Sequence, residues 1–326
     1  MNQSVRISYV ILAVLLVLIA WFHLGTLLLT SLFGYYALLL FSFGRSKFLG
    51  MVIYVVVVAT VGFGLVYFSR KAYVALPEIA NTSIPAVVEF FEKKGIQLPF
   101  TDYASLKTVA LNEASEGIAG VGRYARAASF QFVLLVIGLV VAPSLFLNAP
   151  WGAESDPQTG RDSLYAMTVR ELAARFKTFF QSFTRVIGAQ LVISIINSGL
   201  TAVFLLLNGY PFAAVLVVLT FLCGLVPIIG NIISNTLIVG VGFTVSPRIA
   251  LFALVFLIVI HKLEYFLNSK IIGSRIRNPM WLTLIGLVLG EKLMGIPGMI
   301  LAPAVLHYIK VEMSRSRAAA SASEPA

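Results

Sequence analysis

The sequence predicts an all-α integral membrane protein, and two observations lead to this class. Of the 326 residues, 59% are hydrophobic and 12% are charged, whereas a soluble domain is nearer half apolar and a quarter charged. Several apolar runs also approach the length of about 20 residues with which a helix crosses a membrane. We therefore expect about eight transmembrane helices or half-helices, including two inverted re-entrant hairpins, together with amphipathic interfacial helices.

Residues 1–71 are expected to form an N-terminal three-span scaffold. An apolar run over residues 8–43 is interrupted only around His23, which indicates two short helices, and a third span over residues 49–68 ends at a basic pair. The first run contains no small-residue cleavage site, so we expect no removable signal peptide. Cytoplasmic loops are enriched in basic residues, and Arg6 therefore predicts a cytoplasmic N-terminus.

Residues 72–127 are less apolar and are expected to be an extracytoplasmic insert. One amphipathic helix is predicted to begin near Ser83 and Pro85 and to end before Gly95, because glycine commonly follows a helix C-terminus. A second helix is predicted to begin near Thr101. Both helices would lie at the outer membrane interface.

Residues 128–187 are predicted to contain a fourth span and a cytoplasmic amphipathic helix. The helix covers residues 163–187, with a phenylalanine-rich apolar face and with arginines, including Arg175, largely on its other faces. A basic helix of this kind lies on the anionic cytoplasmic leaflet or packs under the helix bundle. The sequence leaves both interpretations open.

A fifth span over residues 188–207 carries a polar stripe. Gln190, Ser194, Asn197 and Thr201 follow one another at spacings of three and four, so they share one helix face. Inside a membrane such side chains must meet partners or water. The stripe therefore forms hydrogen bonds between helices or lines a substrate path.

Two apolar segments are each interrupted near the middle by glycine and proline. Residues 211–245 are broken at 224–231, and residues 281–309 are broken at 290–298. Each segment is too long for one crossing and short for two, and broken helices at membrane depth occur where they line a cavity. We predict two hairpins that enter from opposite faces, within a transport core of residues 188–312.

This arrangement also predicts the orientation of the chain. The span over residues 249–260 then ends on the cytoplasmic side, where Lys262 and Lys270 follow it. This agrees with the enrichment of basic residues in cytoplasmic segments. Both termini are expected in the cytoplasm of a multi-pass protein of the cell inner membrane. Residues 313–326 are expected to form a disordered tail.

The first break offers candidate binding groups. Pro227, Gly230 and Asn231 would leave backbone carbonyl and amide groups outside helical hydrogen bonding, and such groups bind cations or polar substrates. Asn235 continues the polar side by one turn. The residues form either a binding site or a sharp turn without a ligand.

Glu264 is the candidate ion-coupling group. It lies near the end of an apolar span, three residues after His261 and four before Asn268, on one helix face. An intramembrane carboxylate is a functional candidate by default, because it can exchange a proton. The alternative is a neutralising pair with a nearby basic side chain such as Lys262 or Arg275.

Candidate residues at the second break are Glu291, Gly295, Pro297 and Gly298. A charged pair formed there with Lys292 indicates the water-exposed tip of the hairpin or a gate. A small-residue GxxxG motif in the same segment favours close packing of helices.

Catalysis has little support in the sequence. No nucleotide-binding loop, catalytic triad or metal-ligand cluster is recognisable, and the chain has three histidines and one cysteine. We expect no enzyme activity, no cofactor and no metal site. The net charge of +10 is explained by basic residues that flank membrane helices rather than by nucleic-acid binding.

Three blocks of the sequence carry a resemblance to a known family. They read Val-Pro-Ile-Ile-Gly-Asn at 226–231, Leu-Glu-Tyr-Phe-Leu-Asn-Ser-Lys-Ile-Ile-Gly at 263–273 and Gly-Ile-Pro-Gly-Met-Ile-Leu-Ala-Pro at 295–303. In these blocks the chain resembles the autoinducer-2 exporter family, also known as the PerM-like permeases. Ser269 stands where the family usually has proline, and Arg277 where it usually has leucine, so the resemblance is to a divergent branch.

The resemblance implies a homo-oligomeric secondary transporter with a moving domain that bears hairpins. Members of the family are described as exporters of autoinducer-2 or as sodium/proton antiporters. The first hypothesis is export of a small polar solute, which Gln190, Asn197 and Asn231 would contact while Glu264 couples to an ion. The second is sodium or lithium/proton antiport on the same residues.

The third hypothesis, from another class, is a membrane scaffold without transport. The polar stripe and the two broken segments argue against a scaffold, because such interruptions are costly in lipid unless they serve a cavity. The expected partners are therefore a small polar solute or a monovalent cation or proton, together with membrane lipid.

Overall fold

The computed structural model describes residues 3–42, 46–96, 98, 102, 104–105, 121–148, 164–272 and 279–321. All regular structure in these ranges is helical, which confirms the all-α class predicted from the sequence. The helices of the described ranges are α1 (Gln3–Trp21), α2 (Gly25–Phe41), α3 (Lys47–Glu92), α4 (Val121–Asn148), α5 (Leu164–Leu207), α6 (Ala213–Gly224), α7 (Ile229–Val245), α8 (Pro247–Ile272), α9 (Met280–Met294) and α10 (Ile296–Ser321).

Five helices of the described residues are long and apolar enough to cross a membrane. They are α1, α3, the Ala128–Asn148 part of α4, α5 and the Pro247–Leu267 part of α8. Three shorter helices, α2, α6 and α7, are also apolar. The lengths and compositions support a multi-pass membrane protein.

The first predicted interruption lies between α1 and α2, as expected from the sequence. His23 occupies the turn with a φ of 52°, in the left-handed region that histidine enters more readily than most residues. Gly25 is the first residue of α2 and contacts Met294. A Cβ added to this glycine would lie 2.8 Å from the Met294 Cβ. Glycine therefore permits the close contact at this end of α2.

Helix α3 is longer than predicted. The expected end at the basic pair Arg70 and Lys71 and the expected new helix start near Pro85 are both wrong, because one helix of 46 residues runs through Pro77 and Pro85 to Glu92. At 1.5 Å per residue it spans about 69 Å, more than twice the hydrocarbon thickness of a bilayer. Gly95, with a φ of 77°, follows its end as predicted. The helix expected to begin near Thr101 lies mostly outside the described residues.

Helix α5 joins two predicted elements into one. The amphipathic segment and the fifth span form a single helix of 44 residues. Its phenylalanine face contacts α2 and α10 through ring pairs that include Phe183 with Phe33, at 5.4 Å between centroids, and Phe179 with Tyr308, at 5.7 Å. These contacts favour packing against the bundle over a position on the lipid surface. Arg175, expected largely on a face other than the apolar one, is buried with 6% of its surface accessible.

The chain divides into two compact units. Unit 1 comprises Met1–Val57, Ser129–Gly188 and Arg275–Ala326, and unit 2 comprises Val58–Ala128 and Ala189–Ser274. Helices α3, α4 and α5 therefore each contribute residues to both units. The five-part organisation predicted from the sequence stays a prediction.

Unit 1 contains the second broken segment, as α9 and α10 separated at Gly295. The two helices pack against each other where Gly290 meets Gly298. A Cβ on Gly298 would lie 2.0 Å from the Gly290 carbonyl oxygen, so the backbones approach more closely than any side chain allows. Helix α10 continues as a helix to Ser321, into the segment expected to be a tail.

Unit 2 contains the first broken segment, as α6 and α7, followed by α8. Helix α7 packs against both neighbours around a buried apolar core. Phe204 of α5 stacks on Phe256 of α8 with ring centroids 4.4 Å apart. The core residues include Leu205, Leu216, Ile238, Val241, Ala253 and Leu257.

Candidate substrate and ion site

The turn between α6 and α7 is tight and strained. The Ile229 amide donates a hydrogen bond to the Pro227 carbonyl oxygen at 2.7 Å, so three residues close a γ-turn. Its central residue, Ile228, has a φ of 65° and a ψ of −63°. This is the rarer, strained form of the γ-turn, which L-amino acids with side chains seldom adopt. Strain of this kind clusters at functional sites and persists only where the surrounding structure enforces it.

Gly230 lets the broken ends come together. A Cβ at this position would lie 1.7 Å from the carbonyl oxygen of Cys223, in the last turn of α6. The Gly230 amide also donates to the Val226 carbonyl oxygen at 3.2 Å. The glycine is therefore required by the close approach of the two helix ends.

Two residues of the polar stripe on α5 hold the end of α6. The Gln190 side-chain amide donates to the Gly224 carbonyl oxygen at 2.5 Å, and the Ser194 hydroxyl donates to the Phe221 carbonyl oxygen at 2.8 Å. Carbonyl groups in the last turn of a helix have no partner within that helix. Both interactions therefore satisfy acceptors that the break in the segment exposes.

A carboxylate from α8 meets the first turn of α7. The Asn231 side-chain amide donates to Glu264 Oε2 at 2.8 Å, although the two residues are separated by 33 positions in sequence. Both side chains are half-buried. Since the N-terminal turn of a helix carries a partial positive charge, the start of α7 is a favourable place for an anionic group.

Two further groups surround the same carboxylate. Asn197 on α5 and His261 on α8 are its other polar neighbours. The His261 ring is exposed and packs edge-on against Tyr265, with centroids 4.9 Å apart. The carboxylate thus has amide and imidazole neighbours, and in the described part of the chain none of its recorded partners is a lysine or arginine.

The remaining sequence-predicted residues of this region lie nearby along the helices. Asn235 is half-buried on α7, one turn after Asn231. Asn268 lies on α8, one turn after Glu264, and its side chain is outside the described part. Arg275, a predicted alternative partner of Glu264, also lies outside it. Unit 2 therefore brings together Asn197, Asn231 and Glu264 from three different helices.

The second break presents a different surface. Glu291 and Lys292 form an ion pair of 3.4 Å, with 46% and 77% of their side-chain surfaces accessible. Gly295 has a φ of 65°, and Pro297 and Gly298 lie in the first turn of α10. The exposure of both charges favours the interpretation of this segment as a hairpin tip rather than a gate.

A buried charged cluster in unit 1 was not predicted from the sequence. Arg175 on α5 lies 3.2 Å from Glu171 and 3.4 Å from Glu312 of α10, and its guanidinium stacks over the Tyr9 ring at 3.9 Å. The Tyr9 hydroxyl donates to Glu312 at 3.0 Å. The spacing of Glu171 and Arg175 was the one available signal, because residues four apart on a helix are neighbours.

Metal coordination finds no support among the described residues, where no three histidine, cysteine or acidic side chains come together. The arrangement around Glu264 is instead suited to a proton, a monovalent cation or a polar solute. Amides can both donate and accept hydrogen bonds, and a carboxylate can change its charge. The same three side chains could therefore serve more than one of these ligands.

Comparison with known proteins identifies the family of the chain. Residues 6–317 match the profile described as AI-2E family transporter. The sequence is 27% identical to "Putative transport protein YdbI" of Bacillus subtilis (strain 168) over 141 residues. These residues cover 43% of the chain and 40% of the relative. Over 137 residues, 41% of the chain and 37% of the relative, it is 31% identical to "Putative transport protein YueF" of the same organism. Each match thus spans less than half of the relative, whereas the family profile covers nearly the whole chain. The chain belongs to the AI-2E family of transporters.

Proposed function

We propose that the protein is a secondary transporter that exports a small polar solute and couples this export to an ion gradient. The observation that carries the proposal is the hydrogen bond from Asn231 to Glu264 beside the broken segment of unit 2. Asn231 and Asn197 would bind the solute through their amides. Glu264 would take up and release a proton or bind a monovalent cation.

The broken segment provides the moving part. Pro227 and Ile228 lie in the turn between α6 and α7, and Gly230 follows in the first turn of α7. Gln190 holds the end of α6 by its hydrogen bond to Gly224. We assign Gln190 a positioning role on the path, because its amide is committed to that carbonyl group. Asn235 and Asn268 would extend the path along α7 and α8.

The topology completes the proposal. The segments α6–α7 and α9–α10 would be re-entrant hairpins entering from opposite faces, with both termini in the cytoplasm and the chain in the bacterial inner membrane. Broken helices of this kind bind substrates near the middle of the membrane in other transporters. The functional form would be a homo-oligomer, and Glu291, Gly295, Pro297 and Gly298 would form the exposed tip of the second hairpin.

Cation/proton antiport is the second candidate function. Glu264 lies within a candidate span and has the imidazole of His261 beside it. A carboxylate inside a span can exchange a proton or bind a cation without any need for an organic solute. Sodium or lithium would then alternate with a proton on Glu264.

Proton flux in proteoliposomes tests both functions. The purified protein is reconstituted with a pH-sensitive dye, and sodium, lithium, or furanosyl and diol solutes are added in turn. Flux that follows an organic solute supports the exporter, and flux that follows sodium or lithium supports the antiporter. In both cases we expect Glu264→Gln to abolish the flux, because the amide cannot take up a proton.

The matched variant is Glu291→Gln, which removes the carboxylate at the exposed tip. We expect it to keep most of the flux. Loss of flux in Glu291→Gln but not in Glu264→Gln would transfer the coupling role to the second hairpin. Absence of flux with every solute and ion would favour the scaffold and contradict the proposal.

A further inference from the structure

A cleft in unit 1 is lined by residues that are not part of the proposed transport path. It is formed where the end of α1 meets the end of α9 and has a volume of about 490 Å³. Leu16 and Val17 from α1 and Leu293 from α9 line its wall. The cleft is open to the surface, since Val17 and Leu293 have 62% and 50% of their surfaces accessible, and its apolar side chains can contact a hydrocarbon chain.

The rim of the cleft has a different chemistry. We define the rim as the lining residues nearest the helix ends, which are Trp21 at the end of α1, His23 in the turn that follows, and Lys292 near the end of α9. The tryptophan has 78% of its surface accessible. His23 is held in the turn by a left-handed backbone conformation, with a φ of 52°. The rim therefore combines an indole ring with an imidazole and a lysine.

The position of the rim identifies the environment. Helix α1 is a candidate span of 19 residues, so its last residue, Trp21, lies at the boundary of the membrane if the helix crosses it. Tryptophan is enriched at that boundary, and lysine side chains extend to it. The cleft would thus open toward lipid with its apolar wall and toward headgroups with its rim.

The charges of the lining residues indicate which kind of lipid headgroup the cleft favours. The residues lining the cleft include a lysine and a histidine but no acidic side chain. Glu291 competes for Lys292 at 3.4 Å, yet both side chains are substantially exposed. Exposed pairs of this type are weak, so a phosphate group can replace the carboxylate at small cost.

We propose that this cleft binds an anionic phospholipid, with its phosphate beside Lys292 and an acyl chain along Leu16 and Val17. A lysine near the membrane surface favours anionic over neutral lipid by about five-fold. The site shares no residue with the proposed solute path or with Glu264. Its loss would therefore leave the transport proposal intact.

Quenching of Trp21 fluorescence measures lipid contact directly. The full chain with Trp151→Phe and Trp281→Phe keeps Trp21 as the one tryptophan, and it is reconstituted in vesicles of mixed lipid. Either phosphatidylglycerol or phosphatidylcholine carries brominated acyl chains, which quench by contact. We expect phosphatidylglycerol to quench Trp21 with an apparent affinity about five-fold higher.

Two variants with opposite expected effects on lipid preference test the role of charge. Lys292→Gln should bring the ratio of the two affinities close to one, because it removes the group that binds the phosphate. Glu291→Gln should raise the ratio, because it removes the competing carboxylate. A fall in the ratio with Glu291→Gln would contradict the proposal.

The matched reporter is a protein with Trp281 as its one tryptophan. Trp281 is exposed at the other end of α9, so its quenching should not respond to Lys292→Gln. Equal quenching of Trp21 by both lipids would indicate ordinary boundary lipid and overturn the proposal. A preference for phosphatidylglycerol that survives Lys292→Gln would overturn it as well.

Discussion

Gly230 and the carbonyl oxygen of Cys223 approach so closely that a Cβ atom on the glycine would lie 1.7 Å from that oxygen. The contact brings the first turn of α7 against the last turn of α6. It positions Asn231, the next residue, for its hydrogen bond with Glu264. The geometry of the candidate site thus depends on the absence of a side chain at one position.

Gly230→Ala should therefore disrupt the hairpin. The overlap is with backbone, which cannot rotate away as a side chain can, and we expect a loss of about 3 kcal/mol or more in stability. Thermal unfolding in detergent measures the change. The control is Gly240→Ala on the same helix, where the nearest atom would be the Ser83 Cβ at 3.8 Å. This variant should be neutral or slightly more stable, since alanine favours helices.

The strained turn predicts an unusual order of stabilities at Ile228. With a φ of 65° at this position, Ile228→Gly should be more stable than Ile228→Ala by about 1 kcal/mol, because glycine enters this region without strain. Both variants lose the same side-chain packing, so the comparison isolates the backbone. Ile232 is exposed and lies within α7, so Ile232→Ala should be more stable than Ile232→Gly. If the alanine variant were the more stable one at both positions, the turn would not be strained.

The hydrogen bonds from α5 to the end of α6 should contribute measurably to stability. Gln190→Met and Ser194→Ala each leave a carbonyl oxygen of α6 without its side-chain donor, and we expect a cost of about 1 kcal/mol for each. Unfolding in increasing concentrations of sodium dodecyl sulfate provides the measurement. Gln181→Met, at an exposed position of the same helix, should change stability little. Equal effects at positions 181 and 190 would show that the Gly224 contact contributes nothing.

Removal of Arg175 should be strongly destabilising. Arg175→Met leaves Glu312, with 17% of its side chain accessible, without its cation, and a broken buried pair costs about 3 to 5 kcal/mol. Adding Glu312→Gln should recover part of that loss, because the uncompensated charge disappears. Thermal unfolding of the single and double variants gives the comparison. Lys93→Met removes a pair that is exposed on both sides and should have no measurable effect.

The breaks in the chain were predictable from sequence because their cause is local. Glycine and proline cluster near Gly230 and near Gly295, and such clusters favour a turn over a continued helix. His23 similarly marked the turn between α1 and α2. In each case the structure places the interruption within the predicted residues.

The lengths of α3 and α5 were not predictable in the same way. Arg70 and Lys71 indicated a membrane boundary, and a helix was expected to end there. A helix can continue into water past such a boundary, and Pro77 removes only one backbone donor. Basic residues therefore indicate where a membrane boundary lies, but they do not indicate where the helix ends.

The candidate site was predictable as a set of residues but not as a set of contacts. The polar stripe, Asn231 and Glu264 were each identified from their positions in apolar segments. Their pairing depends on how α5, α7 and α8 pack, and sequence spacing carries no information about it. The Arg175 cluster is a similar case, because its partners Tyr9 and Glu312 are distant in sequence.

The contact between Cys223 and Gly230 has a practical consequence. Cys223 is the single cysteine of the chain and is partly exposed. A thiol-reactive dye would therefore label the unmodified protein at one place, in the last turn of α6, whose backbone contacts Gly230. The rate of labelling with and without a candidate solute then becomes a ligand screen that needs no engineered residue.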